Sequence, residues 1–177
     1  GGAQGAALVA LVSNLSWGKD FIKDYKQICK FGQKAEELKA ALIYNVDADT
    51  QAFNGVMEAN KLPKKTKAEQ KARNKAIQDA YKEAINMPLD TAEKCYGVLN
   101  KSVEMADIGL EASISDVGVG AQMAHAGMHG AILNVKINLP SIEDEKFNRK
   151  MKNKCWRMGR DGDELLEKIM KKVNRKL

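Results

Sequence analysis

The segment Val46-Asp47-Ala48-Asp49 holds two carboxylates that helical geometry sends to different places. At 100° per residue, Asp47 falls with Gln51, Asn54 and Glu58 on a polar stripe. Asp49 falls instead among Leu42, Val46, Phe53 and Val56, on the apolar stripe expected to face the core. A carboxylate there is costly unless paired, hydrogen-bonded or protonated, because desolvation penalises its charged form. One reading of Asp49 is an acid–base group tuned for proton transfer in a cleft. The other is a structural Asp satisfied by a lysine or a backbone N–H.

A second group of residues follows the stretch Ser115-Asp116-Val117-Gly118-Val119-Gly120-Ala121. Small residues recur at Gly120, Ala124, Gly127 and Ala131, so one helix face has almost no side chain, and another backbone or a flat ligand can approach it. Asn134 and Asn138 lie one turn apart in the apolar segment 132–139, and buried amides seek partners in the protein or in a heterocycle. His125 and His129 have the i, i+4 spacing of a metal pair, but no third donor accompanies them nearby, so no metal is expected. Gly118-x-Gly120 follows no strand and is not a dinucleotide fingerprint. The lysines of 61–67 have no interleaved aromatics of the kind that stack on bases.

The elements that must position these residues are helical. Only Pro63, Pro88 and Pro140 break the chain, and Ala, Lys, Glu, Leu and Met dominate, so an all-α, single-domain helical bundle over residues 1–177 is expected. A helix over 3–31 carries the run Ala6 to Val12, apolar on nearly every face and therefore buried. The next runs from Gln33 to about Asn60 and stops before Pro63. Thr66 and Glu69 form a capping box that starts a third, to about Asn86. Pro88 predicts a kink or break, with Asp90-Thr91 restarting a helix through Val103. Ser113 or Ser115 opens a helix to about Leu139, and Ser141 with Asp144 and Glu145 opens one toward Cys155. Gly159 and Gly162 predict an interruption before a short C-terminal helix from Asp163. The uncapped start of the first helix predicts further sequence upstream.

Composition narrows the function classes. With 44% hydrophobic and 29% charged residues, the 177-residue chain is neither disordered nor a disulfide scaffold. Cys29, Cys95 and Cys155 are odd in number and widely spaced, which predicts reduced thiols and a cytoplasmic protein. The run Ala6 to Val12 is far short of a membrane span, so no membrane partner is expected. The net charge of +6 is concentrated in 61–83 and 142–177, a basic surface that suits an anionic small molecule or, in a contrasting reading, a non-catalytic helical module on nucleic acid.

The strings themselves carry a resemblance. Gly5-Ala6-Ala7-Leu8-Val9-Ala10-Leu11-Val12-Ser13-Asn14-Leu15-Ser16 with Gly18-Lys19, then Val46-Asp47-Ala48-Asp49, Lys61-Leu62-Pro63-Lys64 and Pro88-Leu89, occur in order. Ile114-Ser115-Asp116-Val117-Gly118-Val119-Gly120-Ala121 and Gly130-Ala131-x-x-Asn134-Val135-x-Ile137-Asn138-Leu139 complete the series. Together they resemble the cyclodeaminase domain of the formiminotransferase-cyclodeaminase family, whose members include stand-alone methenyltetrahydrofolate cyclohydrolases. The resemblance implies an all-helical, homodimeric, folate-handling enzyme without a metal or nucleic-acid partner, with the small-residue helix faces helping to form the dimer. It implies a tetrahydrofolate derivative as substrate, with or without a polyglutamate tail, and a cyclodeaminase or a cyclohydrolase reaction. The family's acid–base carboxylate matches Asp49. Asp116, Asn134 and Asn138 are then expected at the pterin, and Lys19 and Lys64 at the glutamate carboxylates. No transferase domain is expected in this chain.

Overall fold

A computed structural model describes residues 1–19 and 25–177. Among the described residues, five long α-helices make one helical domain: α1 (Gly2–Ser16), α2 (Tyr25–Lys61), α3 (Lys67–Ile108), α4 (Ile114–Asn138) and α5 (Glu145–Lys176). Single 3₁₀ turns at Glu111–Ser113 and Leu139–Ser141 flank α4, and no strand occurs among the described residues. No helix among them is long and apolar enough to cross a membrane.

The central element is α4, packed against α1, α3 and α5. Its small residues decide how close the others come. A Cβ placed on Gly5 would lie 2.5 Å from the Gly120 carbonyl oxygen, and one on Gly120 would lie 3.0 Å from the Gly5 oxygen. The two backbones are therefore in direct contact, antiparallel, and only glycine allows it. Of the two approaches that the small-residue face of α4 allows, another backbone takes most of it: α1 consumes it within the chain, so it is not the open dimer surface that the resemblance implies. Ala6, Val9, Ala10 and Val12 are buried beside it, as the apolar run required.

Several expected boundaries move, each for a physical reason. The helix expected over 3–31 ends at Ser16, where Trp17 turns extended and Gly18 takes a positive φ of 73°. Residues 20–24 of that stretch lie outside the described residues. Ser16 secures the end by accepting from the Leu110 backbone N–H at 2.8 Å while donating to the Val12 carbonyl at 2.7 Å. The helix expected from Gln33 begins earlier, at Tyr25, and passes through Gly32, where Ser13 of α1 packs closely. The Thr66–Glu69 capping box forms as expected.

Two breaks expected inside helices do not occur. α3 continues through Pro88, and α5 continues through Gly159 and Gly162. Proline withholds an N–H from the carbonyl four residues back. Here that carbonyl, on Ala84, accepts instead from the Asn138 side chain of α4 at 3.2 Å, so the helix is repaired from outside. The glycines of α5 are buried against Met128 and His129, where larger residues would hold α4 and α5 apart. Lys172 and Lys176 of α5 then reach the C-terminal turn of α3, with Lys176 Nζ donating to the Ala106 carbonyl at 2.7 Å and Lys172 Nζ to Asp107 at 2.5 Å.

Gly5→Ala should lower unfolding stability by about 1–3 kcal/mol in urea denaturation, because backbone rather than a movable side chain must yield. Gly55→Ala, where a Cβ meets nothing within 4 Å, should raise it by about 0.5–1 kcal/mol through helix propensity.

Candidate active site

The buried stripe of α2 is made of Leu38, Leu42, Asn45, Ala48, Ala52, Val56 and Ala59. Small side chains do the packing, so the larger apolar residues one step round the helix are left outside: Ile43 is 57% exposed, Val46 66% and Phe53 61%. This overturns the expected burial of Asp49. It belongs to the Val46–Phe53 stripe, and in the single chain both that stripe and Asp49 are exposed. Asp47 is exposed as expected.

Asp49 nevertheless opens onto a concave site. A groove of about 420 Å³ lies where α2, α3 and α4 meet, lined by Asp49, Asn45, Pro88, Thr91, Gly130 and Asn134 among others. That volume falls in the range of small-molecule pockets. Gly127, Gly130 and Ala131 leave its α4 wall almost without side chains, so part of the expected small-residue surface survives here.

The groove floor holds a polar network that sequence reasoning missed. The buried Asn45 amide donates to Asp90 Oδ2 at 2.7 Å and to Thr91 Oγ1 at 3.0 Å. Lys94 pairs with the same Asp90 oxygen, and Thr91 donates to the Met87 carbonyl at 3.2 Å. Partial burial works to raise the Asp90 carboxyl, but hydrogen bonds from Lys94 and Asn45 and the charge of Lys94 outweigh it and hold it below the usual value. The available signal was Asn45 itself, an amide on a stripe otherwise made of Leu, Ala and Val, one turn before Asp49. Cys95 lies behind Gly127. Burial pushes its thiol up to about 11, so it stays protonated and is no nucleophile.

The other expected site residues divide. Asn134 lines the groove beside Asp49 but is exposed rather than buried. Asn138 is half-buried, and its amide nitrogen is spent on the Ala84 and Asn134 carbonyls, at 3.2 and 3.1 Å. It supports the groove wall from behind. Asp116 is half-buried in the first turn of α4, about 27 Å along the helix from Asn134. Lys64 is exposed in the α2–α3 turn, and Lys19 is exposed beyond α1, its carbonyl accepting from Tyr25 at the far end of α2, about 36 Å from Asp49. One chain therefore unites Asp49 with Asn134 and leaves Lys19, Lys64 and Asp116 outside the groove.

The histidine pair does acquire a third donor. Asp163 of α5 sits against both rings, accepting from His125 Nε2 at 2.7 Å and His129 Nε2 at 2.8 Å. Asp163 is 34 residues beyond His129, and because α5 runs unbroken through Gly159 and Gly162 rather than restarting at Asp163, it is carried back to the pair.

Asn138→Ala strands the Ala84 carbonyl and should cost about 1–3 kcal/mol of stability in chemical denaturation. Because the Asp90 carboxyl is depressed in the folded state, its stabilisation is full above about pH 4 and disappears as pH falls through the folded value. Asp90→Asn should therefore flatten the acid side of the stability–pH curve below about pH 4, and an unchanged acid limb would contradict the network.

Comparisons with known proteins bear on this geometry. Residues 1–157 match the sequence model of formiminotransferase-cyclodeaminase. A methenyltetrahydrofolate cyclohydrolase of Methylorubrum extorquens is 35% identical, covering 98% of this chain and 86% of that protein. A formimidoyltransferase-cyclodeaminase of Gallus gallus is 39% identical over 81% of this chain, which spans only 27% of that longer protein. The crystal structure of a formiminotetrahydrofolate cyclodeaminase from Thermotoga maritima superposes with a TM-score of 0.87 at 25% identity, over 98% of this chain and 83% of that one.

Proposed function

The chain belongs to the formiminotransferase-cyclodeaminase family of folate one-carbon enzymes, and we propose that it closes 5-formiminotetrahydrofolate to 5,10-methenyltetrahydrofolate with release of ammonia, using Asp49 as the acid–base group. One observation carries this reading. The acid singled out by the sequence opens, with Asn134, onto a groove of suitable size whose α4 wall is bare enough for a flat ring.

The chemistry needs a single proton carrier. The N10 amine attacks the carbon of the protonated formimino group on N5, giving a tetrahedral carbon that bears an amino group. Asp49 accepts the proton that N10 must lose and returns it to that amino group. The C–N bond breaks, ammonia departs, and the N5–C–N10 methenyl bridge remains. Asn134 hydrogen-bonds the pterin edge, and the Asn45–Asp90–Lys94 network holds the groove floor in one geometry. Asn138 contributes by fixing the α3–α4 wall. Lys19, Lys64 and Asp116, all outside the groove of one chain, meet the substrate's anionic tail or its ring from a second copy.

That second copy also accounts for the exposed stripe. Ile43, Val46, Phe53 and Met57 of α2, with Leu133 and Ile137 of α4 within a turn of Asn134, form an apolar surface beside the groove mouth. A homodimer covering it would withdraw water from Asp49, and such desolvation raises a carboxyl toward the neutral range where it can both take and give a proton. The buried free thiols Cys95 and Cys155 suit a reducing cytoplasm.

A second reading rests on the full-length likeness to the cyclohydrolase. Water adds to the methenyl carbon, Asp49 takes its proton, and the C–N5 bond breaks as N5 is protonated, yielding 10-formyltetrahydrofolate. The two reactions separate in one assay: ammonia release from the formimino substrate, against loss of the methenyl absorbance on hydrolysis.

Asp49→Asn should reduce turnover by about 10²–10⁴-fold with unchanged helical circular dichroism, and near-normal turnover would refute its role. Phe53→Lys should convert a dimer to monomer in sedimentation velocity and lower activity with it. A variant that stays dimeric would exclude this face. Folate derivatives that bind the groove should raise the melting temperature of wild type.

A further inference from the structure

We propose that His125, His129 and Asp163 form a site for one divalent transition-metal ion, zinc foremost, at the seam between α4 and α5. The two histidines are one helical turn apart, with ring centroids separated by 4.5 Å. Both Nε2 atoms converge on a single atom, Oδ1 of Asp163, at 2.7 and 2.8 Å, and the three donor atoms lie within 4.8 Å of one another. Two imidazole nitrogens and one carboxylate are a donor set that zinc accepts, whereas calcium and magnesium favour all-oxygen shells.

The site is built on rigid elements. Gly159 packs under His129, a Cβ there coming within 3.6 Å of the ring, and the buried Gly162 packs on Met128, so Asp163 is carried to the rings by helix packing. The neighbouring cation, Arg160, is held by Asp161 at 2.7 Å and reaches Glu164 at 3.8 Å, which leaves the Asp163 carboxylate to the histidines. Side-chain exposures of 23% for His125, 39% for His129 and 59% for Asp163 give an ion access from solvent and a water the fourth position. Zinc would take the Nε2 lone pair of each ring, which requires the Nδ1–H tautomer.

On the helical wheel both histidines lie on the side of α4 opposite Gly127, which lines the groove. The ion therefore acts as a cross-link that ties α5 to the central helix, apart from the folate chemistry. Its presence adds stability by binding only the folded arrangement of two helices.

The test uses the full chain stripped with EDTA and titrated with zinc chloride by calorimetry, with Co²⁺ as a spectroscopic probe. The expected result is one ion per chain, visible Co²⁺ d–d bands without a thiolate charge-transfer band, and a melting temperature raised by about 5–10 °C at a hundredfold excess over Kd. His129→Gln and His125→Gln, which can keep a hydrogen bond to Asp163, should each weaken zinc at least tenfold while leaving the folate activity in place. Absence of stoichiometric binding, a thiolate band that assigns the ion to Cys29, or unchanged affinity in both glutamine variants would overturn the site.

Discussion

A helix with one face nearly devoid of side-chain bulk, α4, packs against three of the other four helices, and the arrangement of the rest depends on how closely backbones can approach it. On one side Gly5 and Gly120 bring α1 into direct main-chain contact with α4. On the other, the buried Gly159 and Gly162 let α5 lie against His129 and Met128. Because interiors are close-packed, this spacing leaves no slack for a methyl group at the tightest points, and it sets where every neighbouring side chain ends up. The same sparseness, continued at Gly127, Gly130 and Ala131, opens the groove in which Asp49 and Asn134 meet.

That groove borders the point where Pro88 deprives α3 of a backbone hydrogen bond. Pro88 frees the Ala84 carbonyl, and Asn138 crosses from α4 to satisfy it. A potential weakness in α3 thereby becomes a tie between the two walls of the site. Close by, Asn45 links α2 to Asp90 and Thr91, so each of the three groove-forming helices is fixed to another by a buried or half-buried polar contact. Such contacts are directional, and they hold a site in one register where apolar packing alone would permit sliding.

The exposure of Asp49 is the feature of the single chain that the proposed dimer would change. Small residues on α2 bury efficiently, which displaces Val46, Phe53 and Met57 onto the surface beside the carboxylate. Soluble proteins rarely leave such a stripe uncovered. In the proposed dimer the partner would provide the apolar surroundings that the sequence pattern suggested the core would provide.

Local patterns determined much of this architecture. The capping box at Thr66–Glu69, the buried run from Ala6 to Val12, the span of α4 and the all-helical class follow from propensity, capping and hydrophobicity, which act over a few residues. The strings around Asp49 and Asn134 likewise carried the family likeness and two residues of the groove. Decisions that required distant partners were not legible. Whether Pro88 breaks α3 depends on Asn138, fifty residues away, and whether Gly159 and Gly162 interrupt α5 depends on what they pack against. Which face of α2 is buried was settled by packing against α1 and α3, which takes an alanine-rich stripe with Leu38, Leu42 and Val56 and leaves Ile43, Val46 and Phe53 outside. The third donor to His125 and His129 arrived from α5. Periodicity along a chain reports that a helix has sides, and only packing against other helices chooses among them.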